Sequence, residues 1–124
     1  MYKKGIYAKY NEKEYKIIKK DDSITLISND PLDMKAGFEV YKDGILTKNV
    51  SKEELSNPCK IKTFGRYKGY DLIINGEYNG EYLLGADSKA ANELDFPMTD
   101  KYFYEKWVPK NEVKLIEERK EIEL

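Results

Sequence analysis

The chain has 124 residues, 40% of them hydrophobic and 36% charged, with a formal net charge of −1. That length holds one domain or two very small ones, and the near-neutral charge excludes a whole-molecule field that would draw in nucleic acid or an anionic membrane. A single cysteine, Cys59, excludes an intramolecular disulfide, and the absence of histidine removes the usual general base near neutral pH and every Ser/His or Cys/His nucleophilic pair.

Ile6, Ala8 and Tyr10 alternate with Tyr7 and Lys9, the period of a strand, and Asn11-Glu12-Lys13-Glu14 turns the chain. Tyr15 to Lys19 and Ile24 to Ser28 are β-branched or aromatic segments separated by the turn composition Lys20-Asp21-Asp22-Ser23. Asp30 suits a helix N-cap, Pro31 the first turn and Gly37 the stop, so a short helix is expected between them. Phe38 to Tyr41 and Ile45 to Lys48 flank Asp43-Gly44, a strong hairpin signal. Ser51 with Glu54 three residues on starts one helical turn as a capping box. A strand from Cys59 to Phe64 follows the breaker Asn57-Pro58.

A second series follows. Gly65 to Tyr67 and Tyr70 to Asn75 are expected to form a hairpin over Lys68-Gly69. Two pairs, Asn75-Gly76 and Asn79-Gly80, compete for the turn before a strand at Glu81 to Leu84. Asp87-Ser88-Lys89 opens a helix ending near Leu94, Tyr102 to Val108 is an aromatic strand, and Pro109 to Glu112 turns before Val113 to Ile116. The charged run Glu117-Glu118-Arg119-Lys120-Glu121 is expected to be a solvated strand end or tail.

The two series match one another. Fifty-eight positions apart, Phe38 pairs with Phe96, Val50 with Val108, Lys52 with Lys110, Glu54 with Glu112 and Leu55 with Val113. Upstream, Ile24 to Ile27 align with Glu81 to Leu84, Asp30 with Asp87, and Tyr10 and Tyr15 with Tyr67 and Tyr70. Matches that keep their order imply a tandem duplication, with copies at residues 1–62 and 63–124. The alignment favours Asn79-Gly80 for the contested turn. Five short strands with a one-turn helix before the last is, by analogy, the element order of an SH3-like barrel. The expected fold class is therefore mainly β with short helices, a β-rich α+β chain made of two SH3-like units. A unit under about 60 residues has a marginal core, so the copies are expected to pack as one compact body.

Chemistry is sparse. Cys59 has no activating base in the sequence and is expected to be a buried thiol. Asp71, Glu77, Glu81, Asp95 and Asp100 are the acids from which a glycosidase-like pair would be drawn, but they fall on turns and outward strand positions, where surface solvation is the simpler reading. Asp21-Asp22 and Asp87 lack the spacing of a calcium loop, and the glycines after residue 64 form no phosphate-loop string. No enzyme activity, cofactor, metal or small-molecule substrate is expected. No apolar run approaches a membrane span, and Met1-Tyr2-Lys3-Lys4-Gly5 lacks the apolar core of a signal peptide, so a cytoplasmic location away from membranes is expected.

Eleven tyrosines and one tryptophan exceed what small cores need. Edge filling explains any single tyrosine, but the set favours a binding surface. Residues 1–62 hold 13 Lys/Arg against 10 Asp/Glu, and residues 63–124 hold 9 against 13. The basic first copy keeps a nucleic-acid-binding barrel as an alternative, although the net charge argues against nucleic acid as a partner. A peptide-binding adaptor of SH3-like type is the other.

The string from Gly5 to Tyr15, the string Leu26-Ile27-Ser28-Asn29-Asp30-Pro31, the triplet Lys68-Gly69-Tyr70 and the block Tyr104-Glu105-Lys106-Trp107-Val108 resemble small immunity proteins of Gram-positive polymorphic-toxin systems. The resemblance implies a cytosolic protein that binds one cognate toxin domain and blocks its active site or a neighbouring surface. It supplies no catalytic residues. If the toxin is a nuclease with a basic cleft, the acidic second copy is where contact is expected, at Glu77, Tyr78, Glu81, Asp95, Asp100 and Tyr102.

Overall fold

The computed structural model describes residues 2–101 and 103–124. It is mostly β and antiparallel throughout its described pairings, with one short α-helix and three 3-10 segments. The chain divides into two compact units.

The first unit takes Lys4–Ile61 together with Arg119–Leu124. Its strands are β1 (Gly5–Tyr10), β2 (Lys13–Lys20), β3 (Ser23–Ser28), β4 (Glu39–Lys42), β5 (Ile45–Val50) and the first part of β6 (Ser56–Tyr67), hydrogen-bonded in the order β4-β5-β3-β2-β1-β6. The expected helix is a 3-10 helix at Pro31–Ala36. Asp30 accepts from the Leu32 N–H, and Gly37 takes a left-handed φ of 91° at the other end. A second 3-10 turn, Lys52–Glu54, is held by the Glu54 carboxylate accepting from the Ser51 N–H at 2.8 Å. Alternation in β2 and β3 sends Tyr15, Ile17, Ile24 and Leu26 inward onto Phe38 and Leu46. Each such side chain contributes about 1.5–3 kcal/mol of transfer free energy.

The second unit takes Lys62–Glu118 with the residues up to Lys3. The later part of β6 is followed by β7 (Tyr70–Tyr78), β8 (Glu81–Ala86), α1 (Ser88–Leu94), β9 (Met98–Asp100), β10 (Phe103–Pro109), a 3-10 turn at Lys110–Glu112 and β11 (Lys114–Glu121). Pairing runs β6-β7-β8-β10-β9, and β11 also pairs β6. The order of strands and turns is that of the first unit. Leu72, Ile74, Leu84, Val108 and Phe96 form the core under α1, which contributes Ala90, Ala91 and Leu94.

Hairpin turns follow the chemistry of positive φ. Asn79 and Gly80, at φ 49° and 76°, take the turn between β7 and β8, as Asp43 and Gly44 do between β4 and β5. Asn75-Gly76 lies inside β7, at a register shift against β8.

Two expectations needed correction. The strands expected at Cys59 to Phe64 and Gly65 to Tyr67 are one strand, β6. Gly65 serves close packing there and makes no turn: a Cβ on it would lie 2.8 Å from Leu84 Cδ2 and 2.9 Å from Val113 Cγ1. The short strand β9 was not expected at all. The C-terminal charged run is the exposed end of β11, as expected, and it is anchored: the Arg119 guanidinium binds both Glu14 carboxylate oxygens at 2.8 and 3.2 Å and the Ile122 N–H donates to the Pro58 carbonyl. Among the described residues no helix is long and apolar enough to cross a membrane.

Candidate protein-interaction face

In the second unit, strand alternation leaves one face of the sheet outside the core. On β7, Leu72 and Ile74 point inward, so Ile73 points out and is 56% exposed. On β10, Val108 is buried, while Trp107 is 43% and Phe103 59% exposed. Register sets them in neighbouring rows of that face: Trp107 lies opposite Leu83, and Ile73 opposite Gly85, across adjacent strands. These exposed aromatic and aliphatic side chains give one face of the sheet apolar surface.

A polar network crosses the same face. The Glu105 carboxylate accepts from Asn75 Nδ2 at 2.9 Å and from Thr99 Oγ1 at 3.0 Å, joining β7, β9 and β10 over the top of β8. Gly85 makes the crossing possible, since a Cβ there would come within 2.6 Å of Asn75 Nδ2. Both donors are neutral, so Glu105 is oriented while its charge is retained.

The expected contact residues divide. Tyr78, 68% exposed, and Glu81 face each other across the β7–β8 hairpin, at one end of the apolar face. Glu77 lies opposite the buried Tyr82 and points the other way. The Lys110 ammonium hydrogen-bonds it and holds its carboxyl below the usual range. Asp95 is the left-handed C-cap of α1, and Asp100 closes β9 with its carboxylate on the Lys101 N–H. Those two belong to the other end of the sheet. Glu81 pairs with Pro109 and Ala86 with Tyr104, so the ends of β8 are about 17 Å apart at roughly 3.4 Å per residue. Tyr102 lies outside the described residues. Sequence reasoning missed Ile73, Asn75, Phe103 and Glu105 as members of one face. The available signal was the period-two alternation in β7 and β10, visible once their inward residues are assigned.

The first unit holds a different polar centre. Asp33, 6% exposed, accepts hydrogen bonds from the Tyr15 hydroxyl at 2.7 Å, from the Ser28 hydroxyl and from Lys13 Nζ. Burial pushes this carboxyl up, but the hydrogen bonds from Ser28, Tyr15 and Lys13 outweigh it, and the net shift is downward. Tyr15 moves the other way, to about 12, through burial first and its bond to Asp33 second. Every acceptor position on Asp33 is engaged, so the cluster is a structural latch.

Cys59 is buried. Among the described residues no three His, Cys, Asp or Glu side chains converge to hold a metal ion.

A family model described as Uncharacterised conserved protein UCP033725 matches residues 2–124. No curated protein and no solved structure shows a significant match.

Proposed function

The chain belongs to this family of uncharacterised conserved proteins, and from its exposed sheet face we propose that it is a non-catalytic immunity protein that binds and neutralises a cognate toxin domain in the cytoplasm. The observation that carries the reading is Trp107 lying beside Leu83 over Gly76, with Ile73 and Phe103 exposed on the same face of the sheet. Aromatic side chains held on strands supply large contact area at low entropic cost and dominate the energy of protein complexes. An inhibitor of this kind needs a stable scaffold and complementary charge, and no reaction of its own. The class of partner comes from the resemblance of the strings around Tyr10, Pro31, Tyr70 and Trp107 to immunity proteins of polymorphic-toxin systems.

The fold belongs to the same proposal, as a tandem pair of SH3-like units that diverged in role. Two observations support it. Both units run through three strands, a helix, two strands, a 3-10 turn and a last strand. Both also hold a repeat-matched aromatic pair in or against the core, Tyr10 with Phe38 at 6.5 Å and Tyr67 with Phe96 at 6.2 Å. In this division the first unit carries the Asp33 latch and scaffolds, and the second unit binds.

The test is titration calorimetry and growth protection against a candidate toxin domain, sought first in the neighbouring genes. Nanomolar binding is expected, with Trp107→Ala weakening it about 30-fold, the equivalent of about 2 kcal/mol. Binding unchanged by Trp107→Ala overturns the assignment of the face, and protection without physical binding overturns the mechanism. Salt-dependent retention on a polyanion column would favour a nucleic-acid-binding barrel instead.

A further inference from the structure

We propose that the apolar face of the second unit docks onto a basic surface of its protein partner and takes an arginine side chain into the cleft beside α1. The inference rests on the protein-binding reading above and narrows it to one chemistry. The cleft, about 610 Å³ in volume, lies between β7, the start of α1 and β10, continuous with the exposed Ile73 and Phe103. Leu72, Ala86 and Ala90 give it apolar walls.

Charge decides the occupant. Four carboxylates and one lysine line the cleft. Asp71 is already balanced by Arg66, whose Nε and guanidinium NH₂ donate to it at 2.7 and 3.1 Å. Asp87 accepts the Ala90 N–H as a helix cap, Glu105 accepts, among the described residues, from the neutral Asn75 and Thr99, and Glu93 is exposed on α1. Among the described residues of the lining, Lys89 is the one cation against these three. A phosphate or carboxylate is repelled from such a lining. A guanidinium suits it better than an ammonium. It is planar and weakly hydrated, so it can stack on the Phe103 or Tyr70 ring while its forked N–H groups reach Glu105 or Glu93. The neighbouring Ile73 and Trp107 then cover the apolar flank of the residue that carries it.

The test is a ¹⁵N-NMR titration of the whole protein with N-acetyl-arginine amide, beside the lysine and glutamate analogues and free arginine. Saturable millimolar shifts are expected at the amides of Gly85, Lys89, Glu93 and Phe103, at least threefold weaker for the lysine amide and absent for glutamate. Glu93→Gln combined with Glu105→Gln should weaken the arginine amide at least fivefold, with an unchanged circular dichroism spectrum. No shifts, or equal shifts with all three amides, overturn the inference. Tighter binding of free arginine than of the amide overturns it in favour of a small-molecule site. Against the toxin domain the two readings separate: loss with Trp107→Ala but not with the glutamine pair sinks the arginine contact alone, and loss with neither sinks both.

Discussion

Replacing Asp33 by alanine removes the acceptor that three side chains share. Tyr15 and Ser28 are themselves buried, and both point their hydroxyls at this carboxylate. Each orphaned buried hydroxyl costs about 1–3 kcal/mol. The Lys13 ammonium is half in water and is left out of the sum, because an exposed cation loses little when its partner goes. The two hydroxyls together predict a loss of about 3 kcal/mol for Asp33→Ala. With a urea m-value of about 1.5 kcal/mol/M, the unfolding midpoint should fall by about 2 M. Asp33→Asn, which keeps one carbonyl acceptor, should fall by less. The assay is urea unfolding followed by far-UV circular dichroism, repeated across the acid range. Because the folded-state pKa of Asp33 is depressed, its contribution is complete above the ordinary carboxylate value of 3.8 and is lost as pH falls through the lower folded value. The gap between wild type and Asp33→Ala should therefore narrow at the acid end. A midpoint shift below about 0.3 M at neutral pH, or a gap that does not narrow in acid, would refute the reasoning.

Three further outcomes follow from the geometry. Absorbance at 295 nm should show a tyrosine titrating near 12 that vanishes in Tyr15→Phe; its raised pKa stabilises the fold below the ordinary value of 10, and that contribution is lost as pH climbs from 10 towards 12. Gly65→Ala should destabilise by about 1–3 kcal/mol in thermal unfolding, since the new methyl meets Leu84 and Val113 below 3 Å. Gly85→Ala should cost less, because the clash is with the movable end of Asn75, but it should shift the Asn75 side-chain amide resonances as the bond to Glu105 breaks.

Turns and caps were legible because their chemistry is local. Asn79-Gly80, Asp43-Gly44, the Asp30 cap and the Ser51–Glu54 box need only neighbouring residues, and each occurs where its composition suggests. The errors came from residues whose role is set at a distance. Gly65 looks like punctuation until Leu84 and Val113 are brought against it. Strand β9 consists of three exposed residues with no alternation to announce it, and pairing with β10 defines it. The Asp33 latch draws on Lys13, Tyr15 and Ser28 from two strands, so no window of sequence contains it. The expected contact set failed to cluster for the same reason. Glu77 and Glu81 are near in sequence, but an inward and an outward strand position separate them, and Lys110 claims the first.

The assignment of Arg119–Leu124 to the first unit bears on how the protein is made. Synthesis delivers β1 through β5 early, yet Glu14 and the Pro58 carbonyl receive Arg119 and Ile122 only after residue 122 has left the ribosome. A nascent chain stalled at residue 118 would hold a first unit that lacks the contacts of Arg119 and Ile122 and leaves a strand edge open, the kind of surface that chaperones hold and misassembly exploits. Arrested chains probed by protease should thus gain resistance in the earliest-synthesised unit last of all.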